Sequence, residues 1–479
     1  MRYIEGEQRN QAVLFPESIE EYVEENNLVR FIDAYVESLD LKRLSFTYCE
    51  PKETGRKAYN PGSMLKLYIY GYLNRIRSSR KLEIETQRNV ELMWLMKKLT
   101  PDFKTIADFR KDNIQSIKNV CREFTIFCKR LGLYGSELVA IDGSKFKAVN
   151  SKDRCFTRNF LKKEIKEINK KVEQYLKEIE RTDRKEHKFK KVKKEELEDI
   201  IKNIGKKREE LMEMLKEIET GEKSQISLTD GDSRMMKTSG KNYQVSYNGQ
   251  ISVDAKHHMI IESEVTNEVN DLNQLVTMAE KTKQTLQREK IKVVCDSGYY
   301  NEKEICKCEN EKITCYIPIP EKHTNADEGM YELEEFKYDK EKDVYICPAK
   351  KGLKYVCKYK KDGKELKKYE CQECKNCQVK ANCTKSKGNR YISRSEYAEV
   401  MERVKRRMRR NKKKLQKRKE TVEHVFGTMK QWFGYGASFL LKGLEKVGCE
   451  FSLLSMVYNI KRATNILGIK RILKELKIA

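Results

Sequence analysis

Leu138–Lys147 reads LVAIDGSKFK, an apolar run from Leu138 to Ile141 that meets Asp142 and then Gly143 and Ser144. Four apolar residues before a turn signal predict a buried strand. A carboxylate carried on such a strand is costly to bury without a metal or a partner charge. Taken alone, Asp-Gly is also an ordinary hairpin turn. Two further stretches favour chemistry. Ile291–Tyr300, IKVVCDSGYY, repeats the pattern, with Asp296 at the end of an apolar strand and Ser-Gly after it. Far downstream, ETVEHVFGTMK (420–430) sits in a helical pattern, with Glu423 seven residues before Lys430. Two strand-end aspartates and a helical glutamate make an oxygen-only set able to hold two divalent cations. Asp142, Asp296 and Glu423 are therefore the candidate catalytic and metal-binding residues. Asp142 is placed to bridge both ions, and Mg²⁺ (or Mn²⁺) is the expected metal.

The whole composition points the same way. The chain has 479 residues, enough for two or three domains, and carries 100 Lys plus Arg against 74 Asp plus Glu. A net charge of +26 and a pI near 9.3 call for a polyanionic partner, with nucleic acid first. Mean hydropathy is −0.79 and no apolar run is long enough to span a bilayer, so a membrane partner is not expected. The N-terminus, MRYIEGEQRN, lacks the apolar core of a signal peptide. The expected location is cytoplasmic. There the 15 cysteines read as thiols or metal ligands rather than disulfides.

Along the chain, residues 1–135 read as an N-terminal helical DNA-binding domain. One amphipathic helix opens at Pro16, another runs from Asn27 to Leu39, and a third starts at Asn60-Pro61-Gly62. Arg77 and Arg80, at a joint between short helices, are candidate DNA contacts in a helix-turn-helix-like arrangement. A plain bundle with a solvated basic face fits those residues equally well. Residues 136–158 begin an α/β core. Residues 159–225 hold an inserted helical hairpin, because Leu161, Ile165, Ile168, Val172, Tyr175 and Ile179 step at heptad spacing. The core resumes over 226–320 as two meander strands, a helix from Asp271 to Glu289, the Asp296 strand, a helix and a last strand. That alternation predicts a mixed sheet flanked by helices, as in a ribonuclease-H-like domain.

Residues 321–392 shift to Lys, Tyr and Cys. Cys347, Cys374, Cys377 and Cys383, with Cys371 as an alternative, have spacing that suits a closed tetrahedral zinc site, and reduced buried thiols are the plain alternative. Residues 393–479 are C-terminal helices carrying Glu423. Between Arg403 and Lys419, 12 of 17 positions are Lys or Arg. Arg409, Arg410, Arg418, Lys419 and Lys430 are the candidate phosphate contacts that hold DNA without reading its sequence. His424, beside Glu423, reads as a structural neighbour.

These motifs resemble those of bacterial insertion-sequence transposases of the DDE class. AIDGSKFKA (140–148) is similar to the first-aspartate strand, CDSGYY (295–300) to the second, and VEHVFGTMK (422–430) to the glutamate helix with its Glu-to-Lys spacing. SLTDGDSRMM (227–236) followed by YNGQISVD (247–254) resembles the stretch leading to the second aspartate. NPGSMLKLYIYGYLNRIRSSRKLE (60–83) and PDFKTIADFR (101–110) resemble the N-terminal helical domain. The resemblance covers nearly the whole chain. It implies metal-dependent cutting at the element's terminal inverted repeats, transfer of the 3′-hydroxyl to target DNA, and a homodimer on double-stranded DNA. The cysteine cluster likewise resembles a zinc-ribbon-like insertion of related transposases. One departure stands out: where related glutamate motifs place Tyr and Arg upstream, this chain has Gln416 and Lys419. Glu420 is a rival third ligand on the same helix face, and the spacing to Lys430 favours Glu423. A catalytically silent DNA-binding relative is the alternative reading.

Overall fold

The computed structural model describes residues 18–50, 57–135, 138–183, 189–221, 225–238, 242–320, 330–361, 363–384, 387–434 and 437–478. Pro16 lies outside them, and Ser18 to Asn27 forms turns where a first helix was expected. Six helices then follow: α1 (Leu28–Glu37), α2 (Pro61–Leu73), α3 (Ser79–Arg88), α4 (Val90–Leu95), α5 (Phe103–Asp112) and α6 (Ile114–Arg130). Their starts obey capping chemistry. Asn27, Asn60 and Asp102 each accept a backbone N–H of the first turn, and Pro61 opens α2 where its missing N–H costs nothing.

The core begins with β1 (Leu138–Lys147). A short strand, β2 (Cys155–Thr157), leads into α7 (Arg158–Asp183) and α8 (Phe189–Glu219), and β3 (Gln225–Ser227) closes this insertion by pairing with β2. Next come β4 (Arg234–Lys237), β5 (Tyr243–Asp254), β6 (Ile260–Thr266), α9 (Leu275–Thr285), β7 (Ile291–Val294), α10 (Glu302–Asn310) and β8 (Ile313–Tyr316). A second insertion holds β9 (Lys337–Asp339), β10 (Val344–Ile346), β11 (Gly352–Lys361), β12 (Lys364–Glu370) and β13 (Tyr391–Ser395). Four helices end the described chain: α11 (Ala398–Arg410), α12 (Lys412–Phe433), α13 (Leu444–Leu467) and α14 (Ile469–Ile478).

The central sheet runs β6-β5-β1-β7-β8, with β6, β5 and β1 antiparallel and β7 and β8 parallel to β1. This is the mixed order of a ribonuclease-H-like core. Ser246 pairs with Lys147 on one side and Arg234 on the other, so β4 and β6 share the outer edge of β5. One detail differs from the sequence reading and a second adds to it. β1 does not end at Asp142; Gly143 to Lys147 continue it by pairing with Gln250 to Ser246, so Asp142 stands mid-strand opposite Ile251. And β7 pairs with β1 only over Leu138 to Ala140. Beyond that point β1 has lost its parallel neighbour, and Asp296 follows the end of β7 at the resulting gap.

α7 and α8 are antiparallel: Arg158, at the start of one, pairs with Glu219, at the end of the other. Their seam buries Leu161, Ile168, Leu211 and Ile218. The second insertion is an antiparallel sheet, β13-β12-β11-β10-β9, around its own small core of Phe336, Tyr345, Leu353, Tyr369 and Ile392. α2 is buried around nearly its whole surface, as a helix is at the centre of a bundle. α13 packs on α2, α6 and β6, so the N-terminal helices and the sheet share one apolar core. No helix among the described residues is long and apolar enough to cross a membrane.

Candidate active site

Side chains alternate along β1, which splits the site between two faces. Asp142 and Phe146 face α12; Gly143 and Lys145 face the other way, toward Asn248 and Gln250 of β5. Asp142 Oδ2 accepts from Arg418 Nη1 of α12 at 2.9 Å, and Oδ1 accepts the Gly143 N–H at 3.0 Å. Burial pushes the Asp142 carboxyl up to about 7; Arg418 opposes this, and Asp296 and Asp271 add to it. Asp296 Oδ1 accepts the Gly298 N–H at 2.8 Å and so fixes the turn after β7. The structure thus brings Asp142 and Asp296 together at the gap beside β1.

α12 is seated by Val422, Val425, Phe426, Met429 and Phe433, with Phe426 and Phe433 against Phe146. At 100° per residue, Lys419, Glu423 and Lys430 fall along one flank of that seat. Lys430 Nζ lies 5.6 Å from the centre of the Phe146 ring. Burial lowers its pKa, and Asp142 opposes the shift. Glu423 is on this flank and solvent-exposed. His424 points elsewhere: its ring meets His258 at 4.8 Å and its Nε2 meets the Tyr458 hydroxyl at 3.2 Å.

The other candidates have varied settings. Arg77 is committed inside the molecule, donating to Glu450 at 2.8 Å and to the carbonyls of Phe433 and Ser438. A guanidinium so engaged, and stacked 4.6 Å from the Phe433 ring centre, is a tie between α12, α13 and the N-terminal helices rather than a DNA contact. Arg80 is exposed over Phe103. Arg410 and Lys419 are exposed, and Arg409 pairs with Glu334. The basic run is not one helix, since Asn411 separates α11 from α12. Cys347, Cys371, Cys374, Cys377 and Cys383 line a single small apolar cavity, although no three of their thiols stand close enough to hold a metal ion as placed. Burial raises the Cys371 thiol to about 11 and also raises that of Cys383.

Several residues of the site escaped the sequence reading. Asp271, absorbed there into a helix, lies before α9 in a loop. Its Oδ1 accepts from Asn248 Nδ2 at 2.7 Å and Gln250 Nε2 at 2.6 Å, with Lys145 Nζ at 3.7 Å. Tyr299 in turn donates to Gln250 Oε1. The trace in the sequence was Asn248 and Gln250, two amides on a buried strand whose same face also carries Ser246, Ser252 and Asp254.

Among the described residues, no three His, Cys, Asp or Glu side chains are gathered tightly enough to cage a metal ion as they stand. The donor chemistry nevertheless suits one. Asp142 and Asp296 offer hard oxygens, and Asn248 Oδ1 is a buried oxygen with no hydrogen-bond partner among the described residues. An all-oxygen set of this kind fits Mg²⁺ or Mn²⁺.

Two protein families match the chain by their sequence profiles. A transposase domain family (DUF772) matches residues 17–112, and the Transposase DDE domain matches residues 346–464. The second span holds the cysteine cluster, α11, α12 with Glu423, and most of α13. None of the curated proteins matches. Among solved structures, the cryo-EM structure of the piggyBac transposase synaptic complex with hairpin DNA aligns with 95% of this chain and 79% of its own. Identity is 8% and the TM-score 0.30, too loose a likeness to carry an argument. A transposase domain matched at the N-terminal helices and a DDE domain matched across α12 together support a transposase of the DDE class.

Proposed function

We propose that this transposase binds the terminal inverted repeats of an insertion sequence, cleaves DNA there, and joins the 3′-hydroxyl ends to target DNA. The observation that carries the reading is the meeting of Asp142 and Asp296 at the β1–β7 gap, under a helix that supplies Arg418, Glu423 and Lys430. Asp142, Asp296 and Glu423 would hold Mg²⁺ (or Mn²⁺), which when bound activates the attacking oxygen and offsets charge on the phosphate. Arg418 neutralises Asp142 in the resting site. Once released, its planar fork takes a phosphate through two parallel hydrogen bonds. Lys430, held over Phe146, offers a less hydrated point charge to the same phosphate. The exposed cations of α11 and α12, Arg410 and Lys419 among them, hold the DNA backbone in register. Cys347, Cys374, Cys377 and Cys383, with Cys371 as the alternative ligand, would hold a structural Zn²⁺ that fixes the second insertion. Two chains act on two element ends as a homodimer.

The test is cleavage of a labelled duplex carrying the flanking inverted repeat, with Mg²⁺ or Mn²⁺, by wild type, Asp142→Asn and Glu423→Gln. Metal-dependent nicking at the repeat boundary by wild type is expected, with a loss of at least about a hundredfold in both variants. Tight binding of the repeat without cleavage under either metal would leave a silent DNA-binding protein instead.

A further inference from the structure

We propose that Asp271 is a further carboxylate of the catalytic centre, an oxygen ligand for the divalent cation on the Asp296 side. The proposal rests on the reading of Asp142 and Asp296 above. The gap where β7 leaves β1 is bordered by two glycines, Gly143 on β1 and Gly298 in the turn after Asp296. The Asp271 carboxylate lies between them. A Cβ built at Gly143 would stand 2.7 Å from its Oδ1 and 2.2 Å from Gln250 Nε2; one built at Gly298 would stand 3.7 Å from its Oδ2. Asp296 Oδ1 is 3.0 Å from that same point at Gly298. Oxygens of Asp271 and Asp296 therefore converge within 4 Å of one position.

The two oxygens of Asp271 have different tasks. Oδ1 is clamped by the amides of Asn248 and Gln250, with Lys145 behind it. That clamp fixes the carboxylate and leaves Oδ2 turned toward Gly298 and Asp296. A second oxygen is aimed into the same space. Asn248 is fully buried, its Oδ1 has no hydrogen-bond partner among the described residues, and that atom lies 3.0 Å from the Cβ position at Gly143. Buried amide oxygens are satisfied as a rule, and an orphan beside converging carboxylates suits a cation that takes six or more oxygens. Asp142 comes from the opposite face of β1. The cation position this implies is the gap itself, reached from both faces because glycine fills neither border.

The experiment is calorimetric titration of the full chain with Mn²⁺ alone, without DNA, for wild type, Asp271→Asn, Asp142→Asn and Asp296→Asn. Melting in EDTA checks each fold. Asp271→Asn should melt like wild type in EDTA, bind Mn²⁺ at least about tenfold more weakly, and lose most of the Mn²⁺-induced rise in Tm. If it binds Mn²⁺ like wild type while Asp142→Asn and Asp296→Asn do not, Asp271 is only a structural partner of Lys145 and the proposal falls. If neither Asp142→Asn nor Asp296→Asn weakens Mn²⁺ binding, the two-aspartate site itself is wrong. Should Asp271→Asn melt early in EDTA, Asp271→Glu decides: it keeps the charge but displaces the oxygens, so an unchanged Mn²⁺ affinity overturns the proposal.

Discussion

Arg418 and Lys419 are neighbours with different fates. Arg418 reaches Asp142 at 2.9 Å, while Lys419 stays in solvent. The comparison bears on the absent upstream arginine, because a guanidinium at the carboxylate is supplied one position earlier. Arg418→Lys keeps the charge and removes the fork. It should slow single-turnover cleavage roughly tenfold, about 1.4 kcal/mol of barrier, and leave repeat binding within a few-fold. Equal losses in cleavage and binding would place Arg418 in DNA docking alone. Sequence could name Arg418 as one cation in a basic run. It could not show which cation turns inward, since that depends on how α12 is rotated on β1.

Element boundaries were legible where the pattern was local and strong. The apolar runs of β1 and β7 emerge as strands, and Leu161, Ile165, Ile168 and Val172 line the α7–α8 seam, with the Ile179 side chain outside the described residues. Three starts and stops differ from the reading. Asp142-Gly143-Ser144 spells a turn, yet pairing with a strand about a hundred residues away extends β1 through it. α9 begins late because Asn270 Oδ1 takes the Leu272 N–H at 3.2 Å, a local bond that competes with the helix. Asn411 breaks the basic helix in the same manner, donating to the Arg407 carbonyl at 2.9 Å. Two predictions belong at this scale. Leu211→Ala, in the α7–α8 seam, should cost about 2–5 kcal/mol locally. The hairpin should then be nicked by protease at low dose while the sheet melts as before. The seat of α12 on α13 should weaken in acid. Partial desolvation lowers the pKa of His424 below its usual 6.5, with His258 and Arg462 pushing the same way, and His257 is lowered too. The unfolded chain therefore binds more protons just below pH 6.5, and stability falls as pH drops through that range. Tm should be lower at pH 5.5 than at 7.5, and His424→Gln should shrink the difference.

Across the whole molecule, the loop between α2 and α3 and the C-terminal helix α13 hold one another. Arg77 and Glu450 are 373 positions apart, and Glu450 also accepts the N–H groups of Leu440 and Leu441. Removing one partner strands a buried charge, so Glu450→Ala should cost about 3–5 kcal/mol by denaturant melting. Arg77→Met with Glu450→Met should recover much of that loss, because the orphaned charge goes with its partner. No reading of either segment alone could have paired them. The joining of Asp142 to Arg418 spans 276 positions and has a consequence for the life of the chain. During synthesis both aspartates leave the ribosome long before Lys412–Phe433 exists, and the apolar faces of α2 and α6 wait for α13. On the proposed assignment, a polypeptide cut short before α12 would hold both aspartates without Glu423, and competence to cut DNA would come only once α12 is in place.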